Sequence, residues 1–254
     1  MHKHIILEKE EGIAKITLNR PPVNILNIEM MREIIDLLGE LAKEKDLKTV
    51  LFQGNQKAFS AGVDVGEHTA DKVEEMIEVF GKLFEAINSI PVITLASVEG
   101  MALGGGCEVA TFCDLIVASE NAKFGQPEIK LAVFPPVAAP IFPRLIGRQR
   151  ALELLLSGDT IDAKEAHRIG LINQVYSQER YQESLQKFIA GFTAQSAIAL
   201  ALTKKAVDGG LYLPVLEAID VANKIYIDEL MKTEDANEGL KAFLEKRKPV
   251  WKNR

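Results

Sequence analysis

Apolar positions recur along this chain at two different periods, and the changes of period mark its elements. Residues 4–8 and 13–18 alternate with a period of two around Glu11-Gly12, which predicts two strands joined as a hairpin. Asn19-Arg20-Pro21-Pro22 stops the second strand and opens an extended loop. Ile28, Met31, Ile34, Ile35, Leu38, Leu41 and Ala42 then recur at three and four residues, predicting an amphipathic helix over 28–44 with Asn27 as its N-cap. A short buried strand follows at 48–53. A second amphipathic helix is predicted over 72–88 and a buried strand over 90–98. Between them, the small-residue stretch from Lys57 to Val65 reads as a structured loop, and 67–71 as a polar, mobile one. Past residue 130, Pro135, Pro136, Pro140 and Pro143 allow only short or kinked helices. Helices are predicted over 148–156 and 163–168, the second capped by Asp162, with an extended link at 171–176. From 179 the chain is almost wholly helical: 179–191, 196–207, 215–230 and 234–245, with Gly209-Gly210 and Leu213-Pro214 separating the middle pair. Strand–helix alternation giving way to helices alone predicts an α/β core over 1–190 holding the active site. A helical region over 191–254 then covers that site or joins subunits.

The stretch from Val98 to Glu128 organises the rest. Apolar runs enter and leave it, Gly104-Gly105-Gly106 lies at its centre, and an apolar helical segment from Cys107 to Cys113 follows. Glu108 sits among apolar residues in that segment, where a carboxylate is costly unless paired or used. Gly105 at a helix start can present an unpaired amide to an anion, with no side chain in the way. A second amide near Gly62-Val63 would complete an oxyanion hole, flanked by Glu108 and Glu128. Taken one at a time, these features have plainer readings. The glycines make a tight turn, Glu108 is an acid favoured by the helix dipole, and Glu128 is a solvated turn residue.

Composition narrows the classes. With 254 residues, 47% of them hydrophobic, the chain can bury a large core, and its formal charge of −6 without a basic–aromatic pattern speaks against nucleic acid. The glycines match neither a dinucleotide fingerprint nor a phosphate loop. His2, His4, His68 and His167 have no metal or triad spacing, and Cys107 and Cys113 read as reduced core residues. The charged N-terminus lacks a signal-peptide core, and no apolar run is long enough to span a bilayer, so the expectation is a cytoplasmic protein without a membrane partner.

Several segments together carry a resemblance: Lys57-Ala58-Phe59-Ser60-Ala61-Gly62-Val63-Asp64, Ala102-Leu103-Gly104-Gly105-Gly106-Cys107-Glu108-Val109-Ala110, Cys113-Asp114, Phe124-Gly125-Gln126-Pro127-Glu128, and Asn19-Arg20-Pro21 with Asn27. Over essentially its whole length the chain resembles the enoyl-CoA hydratase/isomerase (crotonase) superfamily. That resemblance implies a stacked ββα superhelix with a C-terminal helical oligomerisation region, assembled as a homotrimer or homohexamer. It implies an acyl-CoA thioester as substrate, so that coenzyme A belongs to the substrate, with no separate cofactor and no metal. Val63 and Gly105 correspond to the oxyanion amides, Glu128 to the proton-delivering acid and Glu108 to the acid that orients and deprotonates water. Val23, Ala61, Asp64 and Val65 correspond to the adenosine side of the site, and Phe243 and Lys246 to a C-terminal segment that approaches bound CoA. Retention of both acids favours water addition over isomerisation, and with the acidic balance it argues against an RNA-binding or scaffold role. Where simple hydratases carry a glycine-rich run, this chain has Pro135-Pro136-Val137-Ala138-Ala139-Pro140, which implies a reshaped acyl pocket. Residues 19–27 together with 130–136 are most similar to the cyclohexa-1,5-diene-1-carbonyl-CoA hydratases. The expected product there is 6-hydroxycyclohex-1-ene-1-carbonyl-CoA, formed through a dienolate. The alternatives are a hydratase for linear or branched enoyl-CoAs and an enoyl-CoA isomerase.

Overall fold

The computed structural model describes residues 2–254. A hairpin of β1 (Ile5–Glu10) and β2 (Ile13–Leu18) starts the chain, turning at Glu11-Gly12 as the pattern predicts. Helix α1 (Ile28–Leu41) follows, and the Asn27 side chain accepts from Met30 N at its N-terminus. The helix stops about one turn short of the predicted 44, because no further buried apolar position follows Leu41 until Leu47. Three units of the form strand–strand–helix come next. The first is β3 (Thr49–Gln53), β4 (Ala58–Ser60) and α2 (Val73–Ser89). The second is β5 (Ile93–Val98), β6 (Met101–Leu103) and α3 (Gly105–Phe112). The third is β7 (Leu115–Ser119), β8 (Lys123–Gly125) and, after a 3-10 turn at Pro127–Leu131, α4 (Ala138–Ile146). Each unit gives one strand to each of two sheets. The larger sheet runs β1-β2-β3-β5-β7-β10 and the smaller β4-β6-β8-β9, where β9 is Thr160–Asp162 and β10 Gln174–Tyr176. From β2 to β10 the large sheet is parallel. Strands β4 and β6 are too short to show a period in sequence, which is why 57–65 read as loop and 101–103 carry no predicted element.

The period of two in the parallel strands sorts their side chains between two cores. Val50, Phe52, Ala96, Val98, Ile116 and Ala118 face the main core with α1 to α3. Leu51, Leu95 and Val117 point the other way, onto Tyr181, Leu185 and Ile189 of α7 (Tyr181–Thr193). The buried Tyr181 hydroxyl is satisfied by Val117 O (3.0 Å) and Ser97 Oγ (2.8 Å). Helices α5 (Arg148–Ser157) and α6 (Ala163–Arg168, capped by Asp162) precede α7 in the chain, α5 packing on α4 and α6 on β8 to β10. Then come α8 (Ala197–Gly210), α9 (Val215–Asp228) and α10 (Glu234–Leu244). Helix α8 runs through Gly209-Gly210 rather than stopping before them: both glycines keep helical backbone, and Ala218 Cβ lies 3.0 Å from where a Cβ on Gly210 would stand. No single helix among the described residues is long and apolar enough to cross a membrane.

Candidate active site

Strand β6 delivers the chain into Gly104, whose φ of +53° is the left-handed region that glycine tolerates. The next two glycines are required by close approach. A Cβ on Gly105 would stand 2.5 Å from Val63 Cγ2, and one on Gly106 would stand 2.4 Å from the Ser60 carbonyl oxygen. Parallel pairing of β4 with β6 carries Gly62-Val63 to the start of α3. There, Leu26 N donates to Gly62 O and Asp64 N to Leu26 O, both at 2.8 Å, so the Val63 amide faces away from that bridge. Among the described residues neither Val63 N nor Gly105 N donates to a protein acceptor. Two adjacent free amides, one at a helix N-terminus, are equipped to hold an oxyanion.

The loop beneath is riveted from the N-terminal side. Asn24 is buried at φ +53°; its Nδ2 donates to Ala58 O (3.0 Å) and Phe59 O (3.1 Å), and its Oδ1 accepts from Arg20 N (3.1 Å). Arg20 Nη2 pairs with Asp64 Oδ2 at 2.9 Å, and Asp64 Oδ1 accepts from Gly66 N. The Asp64 carboxylate is therefore held within the chain, and any contact it makes with a ligand comes from its backbone or its rim. Ala61 N donates to Val23 O (2.9 Å), which joins the two sides of the predicted adenosine rim, and Val65 is exposed beside it. The polar loop expected at 67–71 is anchored at its first two residues, while 68–71 are exposed. Glu67 Oε2 accepts from Ile28 N at the start of α1 (2.8 Å), and His68 Nδ1 lies 3.0 Å from Asp64 O.

Glu108, in the first turn of α3, is 2% exposed. Its Oε1 accepts from Val137 N (2.8 Å) and Ala138 N (2.7 Å), the first amides of α4. The accounting at that helix start closes: Ala139 N donates to Pro135 O, Pro140 has no N–H, and Ile141 N donates to Val137 O. No protein group among the described residues donates to Glu108 Oε2. Among the described residues the Thr49 hydroxyl in β3 is the one fully enclosed side-chain polar atom without a partner, so Glu108 Oε2, which also lacks one, retains access to solvent. Burial pushes the Glu108 carboxyl up to about 7; the Ala138 and Val137 amides pull it down, and the charge of Glu128 pushes it up. Glu128 stands in the 3-10 turn with its Oε1 2.7 Å from where a Cβ on Gly104 would be. Burial raises its carboxyl as well, against its own backbone amide and the charge of His68. The Gln126 amide, oriented by the acceptors around it, donates to both Glu128 oxygens (3.2 Å each) and to Gly104 O (3.3 Å). The twenty-residue spacing thus closes in space: the charge of Glu128 acts on Glu108, and Glu128 Oε1 stands beside Gly104, next to the free amide of Gly105.

Sequence reasoning missed the individual work of Gln126, Asn24 and Arg20, although all three lie in the motifs that carried the resemblance. A buried glutamine two residues before an acid was the available signal for the first. Phe243 lies in the last turn of α10 and is 82% exposed, and Lys246 follows two residues past the helix end. Cys107 and Cys113 are free and buried, and burial holds both thiols well above their ordinary range.

The family model described as enoyl-CoA hydratase/isomerase matches residues 8–254. A cyclohexa-1,5-dienecarbonyl-CoA hydratase of Thauera aromatica is 37% identical over 248 residues, covering 98% of this chain and 96% of that protein. A crotonyl-CoA hydratase of Syntrophomonas wolfei is 35% identical over 253 residues, covering 97% of each. The crystal structure of an enoyl-CoA hydratase from Bacillus anthracis superposes with a TM-score of 0.95 at 30% identity, over 99% of this chain and all of that one. The stacked ββα repeats and helical C-terminus are shared with that structure.

Proposed function

The chain belongs to the enoyl-CoA hydratase/isomerase family and is an acyl-CoA hydratase, a carbon–oxygen lyase; from that premise we propose that it adds water across the conjugated double bond of a linear or branched 2-enoyl-CoA. The observation that carries this reading is the pair Glu108 and Glu128 with the free amides of Val63 and Gly105. Glu108 Oε2, the oxygen without a protein partner, takes a proton from water as the water oxygen bonds to the β carbon. The electron pair of the double bond moves to the thioester oxygen, where the two amides hold the enolate. Protonated Glu128 returns a proton to the α carbon. The net change is addition of one water, and the acids reset by passing one proton from Glu108 to Glu128. A buried base with a pKa of about 7 suits this task near neutrality.

A second reading rests on the Pro135–Pro140 run and on the 37% identity with the Thauera enzyme: the acyl group is a cyclic diene, water adds at the β ring carbon, and protonation occurs at the far end of the dienolate. The relatives of comparable identity that are named for simpler enoyl-CoAs favour the first reading. Side-by-side assays with crotonyl-CoA and cyclohexa-1,5-diene-1-carbonyl-CoA decide between them. Preference for crotonyl-CoA supports the first, and preference for the ring supports the second. No water addition to either removes both. For the ring, product formed in heavy water with deuterium at the α carbon excludes protonation at the far end.

The rim formed by Val23, Ala61, Asp64 and Val65 is proposed to receive the adenosine end of CoA. The segment at Phe243 and Lys246 is proposed to reach CoA bound by another copy of the chain.

A further inference from the structure

Two elements position Glu108: α3, which carries it, and α4, whose first amides hold its Oε1. The exit of α3 meets α8, and α4 meets the turn that follows α8. In the middle of α8, Lys204 Nζ donates to Asp114 Oδ2 (2.7 Å) and to the Val92 carbonyl (3.2 Å). Asp114 is the second residue past α3, and its Oδ2 also accepts from Thr94 N (2.7 Å) and Thr94 Oγ1 (2.9 Å). Lys204 thus grips the exit of α3 and the start of β5 together, with its side chain 14% exposed. About two helical turns further on, the turn after α8 presents Tyr212, and the guanidinium of Arg144 in the last turn of α4 lies 4.6 Å from the centre of its ring. Helix α4 is nine residues long with Pro140 in its first turn and Pro143 inside it, so Pro143 removes one backbone donor from its own short ladder. Its orientation therefore depends on what holds its ends.

We infer that α8 braces the active site: Lys204 and Tyr212 are positioning residues that keep α3 and α4 in the register at which the Val137 and Ala138 amides reach Glu108 Oε1. The inference rests on the proposed role of Glu108 as base. Amide-to-carboxylate bonds are charge-assisted and strongly distance-dependent. A displacement of α4 by about 1 Å loosens both and costs catalysis disproportionately. Glu128 is the one other ionisable group whose charge bears on Glu108, and Lys204 also faces Asp208 on its own helix.

The test uses Tyr212→Leu and Lys204→Met against the conservative Tyr212→Phe and Lys204→Arg in the full-length protein. The Glu108 carboxyl is titrated without substrate, by infrared difference against Glu108→Gln, alongside kcat and KM for hydration. The brace predicts that Tyr212→Leu and Lys204→Met move the Glu108 titration to higher pH and lower kcat at pH 7 roughly threefold to tenfold, with KM within about twofold. Tyr212→Phe and Lys204→Arg stay with the parent. An unmoved Glu108 titration in Tyr212→Leu, or a Tyr212→Phe as impaired as Tyr212→Leu, overturns the inference. If Lys204→Met does not fold, the exposed Tyr212 pair decides alone. Absence of hydration in the parent protein would remove the functional reading while the carboxyl titration still reports on the brace.

Discussion

Glu108 works against the stability of the protein that holds it. Its carboxyl is raised to about 7 by burial, so the folded chain binds that proton more tightly than the unfolded chain does. Its contribution is therefore most favourable below the ordinary glutamate value and is lost as pH rises through about 7. The loss is roughly 3 kcal/mol, less whatever Glu128 shares. Glu108→Gln keeps an oxygen for the Val137 and Ala138 amides and removes the charge. The Tm advantage of Glu108→Gln over the parent should grow between pH 5 and 7 and then level off in thermal melts, while hydration falls by about a thousandfold or more. A Tm difference independent of pH would count against the raised carboxyl. In the active parent, kcat/KM should rise with pH through about 7 as the base ionises and fall again where Glu128 loses its proton, because the mechanism needs one acid ionised and the other protonated. A profile flat from pH 5.5 to 8 would assign that role elsewhere. The glycines separate by what they touch. The clash in Gly105→Ala is with a Val63 methyl and should be partly relieved by adding Val63→Ala. The clash in Gly106→Ala is with the Ser60 backbone, so no side-chain truncation should recover its loss of about 2–4 kcal/mol in denaturant titrations.

At the scale of elements, the site depends on segments too short or too irregular to announce themselves. Strand β4 has three residues, yet its pairing with β6 places the Val63 amide beside α3. The loop at 20–26 holds that strand through Asn24, whose side chain satisfies two β4 carbonyls from a positive-φ backbone. Asn24→Ala should cost about 1–3 kcal/mol in chemical denaturation, since it takes a buried donor from Phe59 O and Ala58 O, the latter keeping Asn55 N, and leaves Arg20 N without its acceptor. It should also lower kcat more than it raises KM, because the oxyanion amides move while most of the CoA rim remains. A variant that changes KM alone would place the loop in binding and not in positioning. The Asn27 and Asp162 caps were legible because the capping residue and the apolar period coincide at one boundary. Helices α1 and α2 were legible because their apolar stripes are long.

For the whole molecule, the surface of α9 and α10 is the outstanding feature. Val215, Leu216, Ile227, Phe243 and Leu244 are all largely exposed on one chain. So much apolar area is unusual on a monomer. Copies of the chain are proposed to bury it, consistent with a trimer or hexamer. Leu216→Glu combined with Phe243→Glu should shift sedimentation velocity toward the monomer. If the parent itself sediments as a monomer, the assembly proposal falls.

The sequence by itself determined the long elements, their strand–helix alternation and the two acids with their flanking glycines, while the ββα repeat was legible only through the family resemblance, because β4 and β6 carry no period. Periodic burial and backbone freedom are properties that a residue carries with it. Only the tertiary structure decided that Glu108 spends one oxygen on α4 and leaves the other to solvent, that Gln126 holds Glu128, that Asp64 is tied to Arg20, and that the start of 67–71 is pinned by Glu67. Apart from Gln126 and Glu128, which are two residues apart, those contacts join residues that no local pattern relates. Their geometry comes from how two sheets, α3 and α4 pack, and burial and hydrogen bonding then set the chemistry of the carboxylates.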